Sequence, residues 1–214
     1  MKTLIVISSK SPNNILYTCI DALYKIQIHN ESNYYKICVI DSDSDDFTNY
    51  NKIKIDFPEV DIHFIQNKNY EYGAWKYAHE IYDNYDIYFC IHDNVILQHQ
   101  IRMEIIDNTN VYTCHHYSGY YSHECIKEKG IDNLKDSGLY YQPFIDTYFN
   151  LAYGNIFIVN NHVIKDIFNT LKNPPIDKDG SCFYERNFGL YFIIKNINTI
   201  DLSNYILKEH GGRI

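Results

Sequence analysis

Residues 69–97 read NYEYGAWKYAHEIYDNYDIYFCIHDNVIL, and this stretch decides the fold. Its first part has helical spacing and predicts a helix over Tyr72–Tyr85, opening at Gly73. Its second part, Ile87–Leu97, is an apolar run predicted to be a buried strand, interrupted only by His92, Asp93 and Asn94. Three polar side chains in such a run are costly to bury unless they are paired or bind something. They mark the first place to look for function.

The flanking sequence repeats the theme. Lys2–Ser8 and Tyr35–Ile40 are apolar runs of strand length, and Val60–Ile65 is a third. Between the first two, Ser11-Pro12 is a helix start and Ile15, Leu16, Cys19, Ile20, Leu23 and Ile26 recur at helical spacing. Phe47–Phe57 is a weakly patterned helix. Strands alternating with helices predict βαβ units and a parallel sheet. Right-handed crossovers then gather the strand C-terminal ends on one edge, where open α/β sheets bind ligands.

Beyond Gln100 the pattern changes. Val111–His115, Tyr153–Val159 and Ile200–Tyr205 read as strands, Asn161–Leu171 and Cys182–Lys195 as helices. Pro174–Gly180 is a loop by its turn residues, and Tyr117–Tyr141 reads as irregular. Without a repeat or a Ser/Gly-rich linker, one domain over residues 1–214 is expected, with a ligand-binding half (1–100) and a second half (101–214).

Bulk properties exclude several classes. A hydrophobic fraction of 45% is ordinary for a globular chain and argues against disorder. A formal charge of −8 disfavours nucleic-acid binding. The longest apolar runs, Leu4–Ile7 and Ile156–Val159, are far too short to span a bilayer. Met1-Lys2 leads directly into a strand-like run, so no secretory leader is expected. The cysteines (Cys19, Cys38, Cys90, Cys114, Cys125, Cys182) form no CxxC pair and read as reduced core thiols of a cytoplasmic protein.

No GxxxxGK[ST] or GxGxxG is present, so neither a P-loop nor a dinucleotide fingerprint holds a phosphate. Instead, polar groups follow each strand in turn: Ser8-Ser9, then Asp41 and Asp43, then Asn67–Gly73, then His92-Asp93-Asn94. An acid after the second strand suits a ribose hydroxyl, although Asp41–Asp46 also fits a solvated acidic loop or a helix cap. Asn69 and Gly73 sit at the helix start, where a bare backbone permits close approach, and Lys76 can face a diphosphate. Trp75 reads as packing. His115, His116, His123 and Glu124 match no strong zinc spacing.

On these residues the chain resembles the GT-A family of nucleotide-sugar glycosyltransferases. Val39-Ile-Asp41 is similar to the family's base- or ribose-binding acid, and Asn69–Lys76 to the segment before its DXD strand. Phe89-Cys-Ile-His-Asp-Asn-Val-Ile96 occupies the DXD position with a single carboxylate. Ala152–Val159, which includes Gly154, resembles the strand behind the donor sugar, and Phe183–Leu190 the helix that carries the catalytic base.

The resemblance implies an α/β, GT-A-like fold with a mostly parallel Rossmann-like central sheet and a more irregular C-terminal half. It implies hexose transfer from a nucleotide diphosphate sugar, such as a UDP-sugar, to a hydroxyl on a glycan. Donor binding then falls to Ser8, Asp41, Asp43, Asn69, Gly73, Lys76, His92, Asp93, Asn94 and Gly154. Mn²⁺ or Mg²⁺ would sit on Asp93, Asn94 and His210, and Glu185 would be the base, with Asp146 and Asp179 as fallbacks. Glu185 also fits an exposed helix-start position or a partner for Arg186. Two other readings stay open: nucleotidyl transfer to a sugar phosphate, and a non-catalytic glycan- or nucleotide-binding protein with a decayed site.

Overall fold

The structure, a computed structural model, describes residues 1–29, 33–120 and 124–209. Nine strands appear among them, β1 (Lys2–Ser9), β2 (Tyr34–Ser42), β3 (Asp61–Ile65), β4 (Ile87–His92), β5 (Val95–Leu97), β6 (Asn110–Thr113), β7 (Phe157–Asn160), β8 (Asn198–Asp201) and β9 (Ile206–Lys208). Six α-helices accompany them: α1 (Asn14–Ala22), α2 (Thr48–Asp56), α3 (Tyr70–Ile81), α4 (Glu124–Asp136), α5 (Asn161–Thr170) and α6 (Lys178–Ile194).

Seven strands form one sheet in the order β3-β2-β1-β4-β7-β6-β8. The β3-β2-β1-β4 block is parallel, and β7 alone runs against its neighbours β4 and β6. Because β4 pairs with β7, the sheet is continuous across the two halves of the sequence. This is the expected α/β architecture with a mostly parallel central sheet flanked by helices.

Alternation along each strand divides the core. Leu4 and Val6 of β1 face α3, α5 and α6 together with Tyr88 and Cys90 of β4. Ile5 and Ile7 face α1 and α2 together with Phe89 and Ile91. Both faces of β1 and β4 are therefore covered, which is why these strands read as unbroken apolar runs. Side-chain caps fix several helix starts: Asn13 for α1, Asn160 for α5 and Asp177 for α6.

Four local expectations are corrected. The run 87–97 is not one strand, because a turn at Asp93-Asn94 splits it into β4 of the main sheet and β5, which pairs with β9. The stretch 117–141 contains α4, whose apolar face packs Ile126 and Leu134 into the core. Residues 153–155 form a short 3₁₀ turn, with Gly154 at φ 67° and Asn155 at φ 55°, so β7 starts only at Phe157. Finally, α6 begins at Lys178, which places Glu185 in its interior rather than at its start.

Gly73 serves a close approach, although its neighbour is a side chain of the protein. A Cβ there would lie 2.0 Å from Asn67 Oδ1, which accepts from Asn69 N at 2.8 Å. Gly73→Ala is therefore expected to cost about 1–3 kcal/mol in urea unfolding, as overpacking does. Adding Asn67→Ala should recover part of that loss, and a strictly additive double mutant would show that the clash lies elsewhere.

Candidate functional site

A cleft of about 450 Å³ lies at the C-terminal edge of the parallel block. Ser8 and Ser9 end β1, Ser42 ends β2 and Asp43 follows it, Asn67 and Lys68 follow β3, and His92 ends β4; all of them line it. Tyr70 and Glu71 contribute from the first turn of α3, and Lys10 stands at the rim. The strand order turns here, since β1 lies between β2 and β4, and ligands of open α/β sheets bind at such a point.

Alternation sorts the predicted residues at these strand ends. Ser8, Ser42 and His92 fall on the α3 face, whereas Ser9 and Asp41 fall on the α1–α2 face. Asp41 is 1% exposed, and its carboxylate accepts from Tyr50 Oη at 2.5 Å, from the Ser44 hydroxyl and from Ser44 N at 3.0 Å. Ser9 Oγ lies 3.0 Å from the same Tyr50 oxygen and donates to Asp93 Oδ2 at 2.9 Å. Asp41 thus closes a buried network and does not line the cleft; of the acids after β2, Asp43, exposed at φ 67°, does.

Glu71, which the sequence reading passed over, is the carboxylate at the cleft floor. Its Oε1 lies 3.7 Å from His92 Nε2, and its Oε2 accepts from Ser181 Oγ at 2.9 Å and Asn155 Nδ2 at 3.3 Å. Burial opposes its charge, yet His92, a backbone N–H, Ser181 and Lys178 outweigh burial and hold the carboxyl below the ordinary Glu range. A signal was available: Glu71, Trp75 and Ala78 share one helix face, so a carboxylate lies on a buried stripe.

Other expected donor residues lie elsewhere. Asn69 donates to Pro175 O at 3.0 Å, and with Gly73 and the exposed Lys76 it lines a separate depression on α3. Asn94 donates to Glu209 O at 2.8 Å and accepts from Glu209 N at 2.9 Å through its own carbonyl, so it anchors β9. His210 and His123 lie outside the described residues. The His115 ring meets the Thr199 hydroxyl and its backbone N–H donates to Asp201, both on β8, while the His116 ring turns to Tyr153. Asp146 and Asp179 are tied at the surface to Lys127 and Lys129.

Glu185 forms a second cluster, adjoining the first through the 153–155 turn. Gly154 N donates to Glu185 Oε1 at 2.9 Å, while the side chain of the next residue, Asn155, reaches Glu71. Lys208 lies 4.5 Å above the Tyr153 ring, and a Cβ on Gly154 would meet its Nζ at 2.5 Å. Burial raises the Glu185 carboxyl above the ordinary Glu range, with Gly154 N–H, Lys208, Arg186 and Lys178 only partly offsetting it.

The expected metal fits this donor set poorly. Asp93 is 8% exposed with one carboxylate oxygen on Ser9, and Asn94 holds the Glu209 backbone. Among the described residues no three His, Cys, Asp or Glu side chains converge on a point that could hold a cation.

No family model and no curated protein matches the chain. Solved structures do: two of S. aureus TarS superpose with TM-scores of 0.53 and 0.52, at 10% and 9% identity. Each match covers 96% of this chain but only 36% and 60% of the TarS chains concerned, so this chain spans less than two thirds of either. Likeness at this identity establishes the fold. With 229 chains of solved structures matching, the fold alone does not fix an activity.

The shifted carboxyl of Glu71 makes a stability prediction. A pKa depressed in the folded state stabilises above the ordinary Glu value of about 4.5, and this contribution is lost as pH falls through the lower folded value. In urea unfolding, the stability advantage of wild type over Glu71→Gln should shrink as pH drops below about 4.5. A gap independent of pH would show that the carboxyl is not held in its charged form.

Proposed function

We propose that this chain transfers a glycosyl group from a nucleoside diphosphate sugar to a hydroxyl, in the manner of a GT-A enzyme. The observation that carries this reading is the cleft at the β1–β4 edge, with two exposed lysines, Lys10 and Lys68, flanking a floor of polar side chains. An acidic protein that gathers cations at one sheet edge is suited to a phosphorylated small molecule. The chain shares its fold with S. aureus TarS.

In this reading Lys10 and Lys68 offset the diphosphate charge, and Asp43 takes the ribose hydroxyls. The Glu71–His92 pair lies at the sugar end of the cleft floor. The acceptor oxygen attacks the anomeric carbon as the bond from that carbon to the diphosphate oxygen breaks. The acceptor proton passes to Glu185, and the nucleoside diphosphate leaves with the bonding electrons. Glu185 suits the role because a raised pKa makes its carboxylate the stronger base. No step is assigned to a cation. A second reading, a binding protein that holds a nucleotide without turnover, is favoured by the structural bonds of Asp93 and Asn94.

Titration with UDP and GDP, each with Mn²⁺ and with EDTA, tests the donor site through the melting temperature. At least one nucleotide should raise it, and Lys10→Ala and Lys68→Ala should each weaken binding about two- to fivefold, as for exposed charge pairs. No shift with any nucleotide would end the reading. Release of the nucleoside diphosphate from its sugar conjugate then separates an enzyme from a binding protein.

Glu185→Gln should lower kcat by at least about 10²-fold while nucleotide binding persists. Because only the carboxylate accepts a proton, the acid limb of the kcat profile should lie above the ordinary Glu range. Lys208→Met removes a charge that favours the carboxylate and should move that limb further up in pH. A limb indifferent to Lys208 would assign the base elsewhere.

A further inference from the structure

Most of the described large aromatic side chains are buried or half-buried, but Tyr117 and Tyr148 are 69% and 53% exposed. Their rings lie 5.7 Å apart at an interplanar angle of 27°. The backbone beneath them is a paired ribbon. Tyr117 bridges Asn150, Ser118 N donates to Phe149 O at 3.1 Å, and Leu151 N donates to His116 O at 3.0 Å. Two rings fixed on a hydrogen-bonded ribbon lose little freedom when they bind, unlike aromatic side chains on a loose loop.

The same ribbon runs into the Glu185 cluster. Ala152 N donates to Glu185 O at 3.0 Å, and a Cβ on Gly189, one turn further along α6, would sit 2.5 Å from Asn150 O. Residues 150–152 therefore lie along one turn of α6, and Tyr117 is one strand spacing beyond Asn150. Together these steps put the platform roughly 10 Å from the Glu185 backbone. His116, which precedes Tyr117, and Tyr153, which precedes Gly154, have their rings 5.3 Å apart. By contrast, the exposed Tyr34 begins β2, at the opposite edge of the sheet.

We propose that Tyr117 and Tyr148 form a platform that holds the carbohydrate chain of the acceptor, leading its reacting hydroxyl towards Glu185. This rests on the glycosyl-transfer reading. A tyrosine ring offers an apolar face to the C–H surface of a sugar, and its hydroxyl offers hydrogen bonds to the sugar's edge. The formal charge of −8 selects against a polyanionic chain, so the ligand class is a neutral glycan.

Isothermal titration with chitohexaose, maltohexaose, cellohexaose and mannohexaose tests this, with UDP titrated into the same samples. At least one hexasaccharide should bind wild type. Tyr117→Ala and Tyr148→Ala should each weaken it about five- to tenfold, and Tyr117→Phe and Tyr148→Phe should keep most of the affinity. UDP binding and the melting temperature should not move in any of the four. Failure of every hexasaccharide on wild type, or alanine variants that bind as wild type does, overturns the platform. If UDP binds while the hexasaccharides fail, the glycosyl-transfer reading survives without it. If hexasaccharides bind through both tyrosines and UDP does not bind, the platform stands and the donor reading falls.

Discussion

Tyr50 reaches from α2 to the ends of β1 and β2 and places its hydroxyl between Asp41 and Ser9. Ser9 passes the contact on to Asp93, at the end of β4. Three adjacent strand ends are thereby tied by one buried polar chain on the α1–α2 face. A buried carboxylate without donors costs several kcal/mol, so each member of the chain is held by the need of the next. The cleft at the strand ends inherits its shape from this arrangement: with Ser9, Asp41 and Asp93 fixed on one side of the pleat, Ser8, Ser42 and His92 must present to the other.

The α3 side of the cleft is set by close approach. Asn67 donates to Ser42 Oγ at 3.0 Å and to Tyr70 O at 2.7 Å, which brackets the end of β2 against the helix start. Gly73 leaves room for the Asn67 amide, and Glu71 is then carried to within 3.7 Å of His92. Nothing in this region is free to shift alone. Moving Asn67 would release Ser42 and the first turn of α3 together.

Strand periodicity made the parallel block legible, because β1, β2 and β4 are apolar on both faces and only helices can cover them. It did not show where β4 stops, since Val95–Leu97 continues the apolar pattern while pairing with a strand more than a hundred residues later. Asp93 and Asn94 drew attention correctly as polar groups in an apolar run. Their partners, Ser9 and the backbone of Glu209, are set by tertiary contacts that no local pattern encodes. The same holds for Asp41, whose neighbour Tyr50 lies on a helix of weak amphipathic pattern. Glu71 was legible in principle, as a charge on a buried helical stripe, but an acid in a first turn also satisfies the helix dipole.

The 153–155 turn links the two carboxylates that matter most. Its two left-handed residues aim a backbone N–H of Gly154 at Glu185 and the side-chain amide of Asn155 at Glu71. The environments then push the two acids apart: Glu71, beside His92, Ser181 and Lys178, is held charged, while burial dominates at Glu185 and raises its pKa. Two acids separated in this way can take different roles at one pH, one a fixed negative charge and the other a proton acceptor. One residue in each pair reaches the turn from a different helix, Glu71 from α3 and Glu185 from α6. The difference between the two environments is thus a property of how those helices meet β7, and Trp75 secures that meeting by donating from α3 to Asn155 O at 3.3 Å.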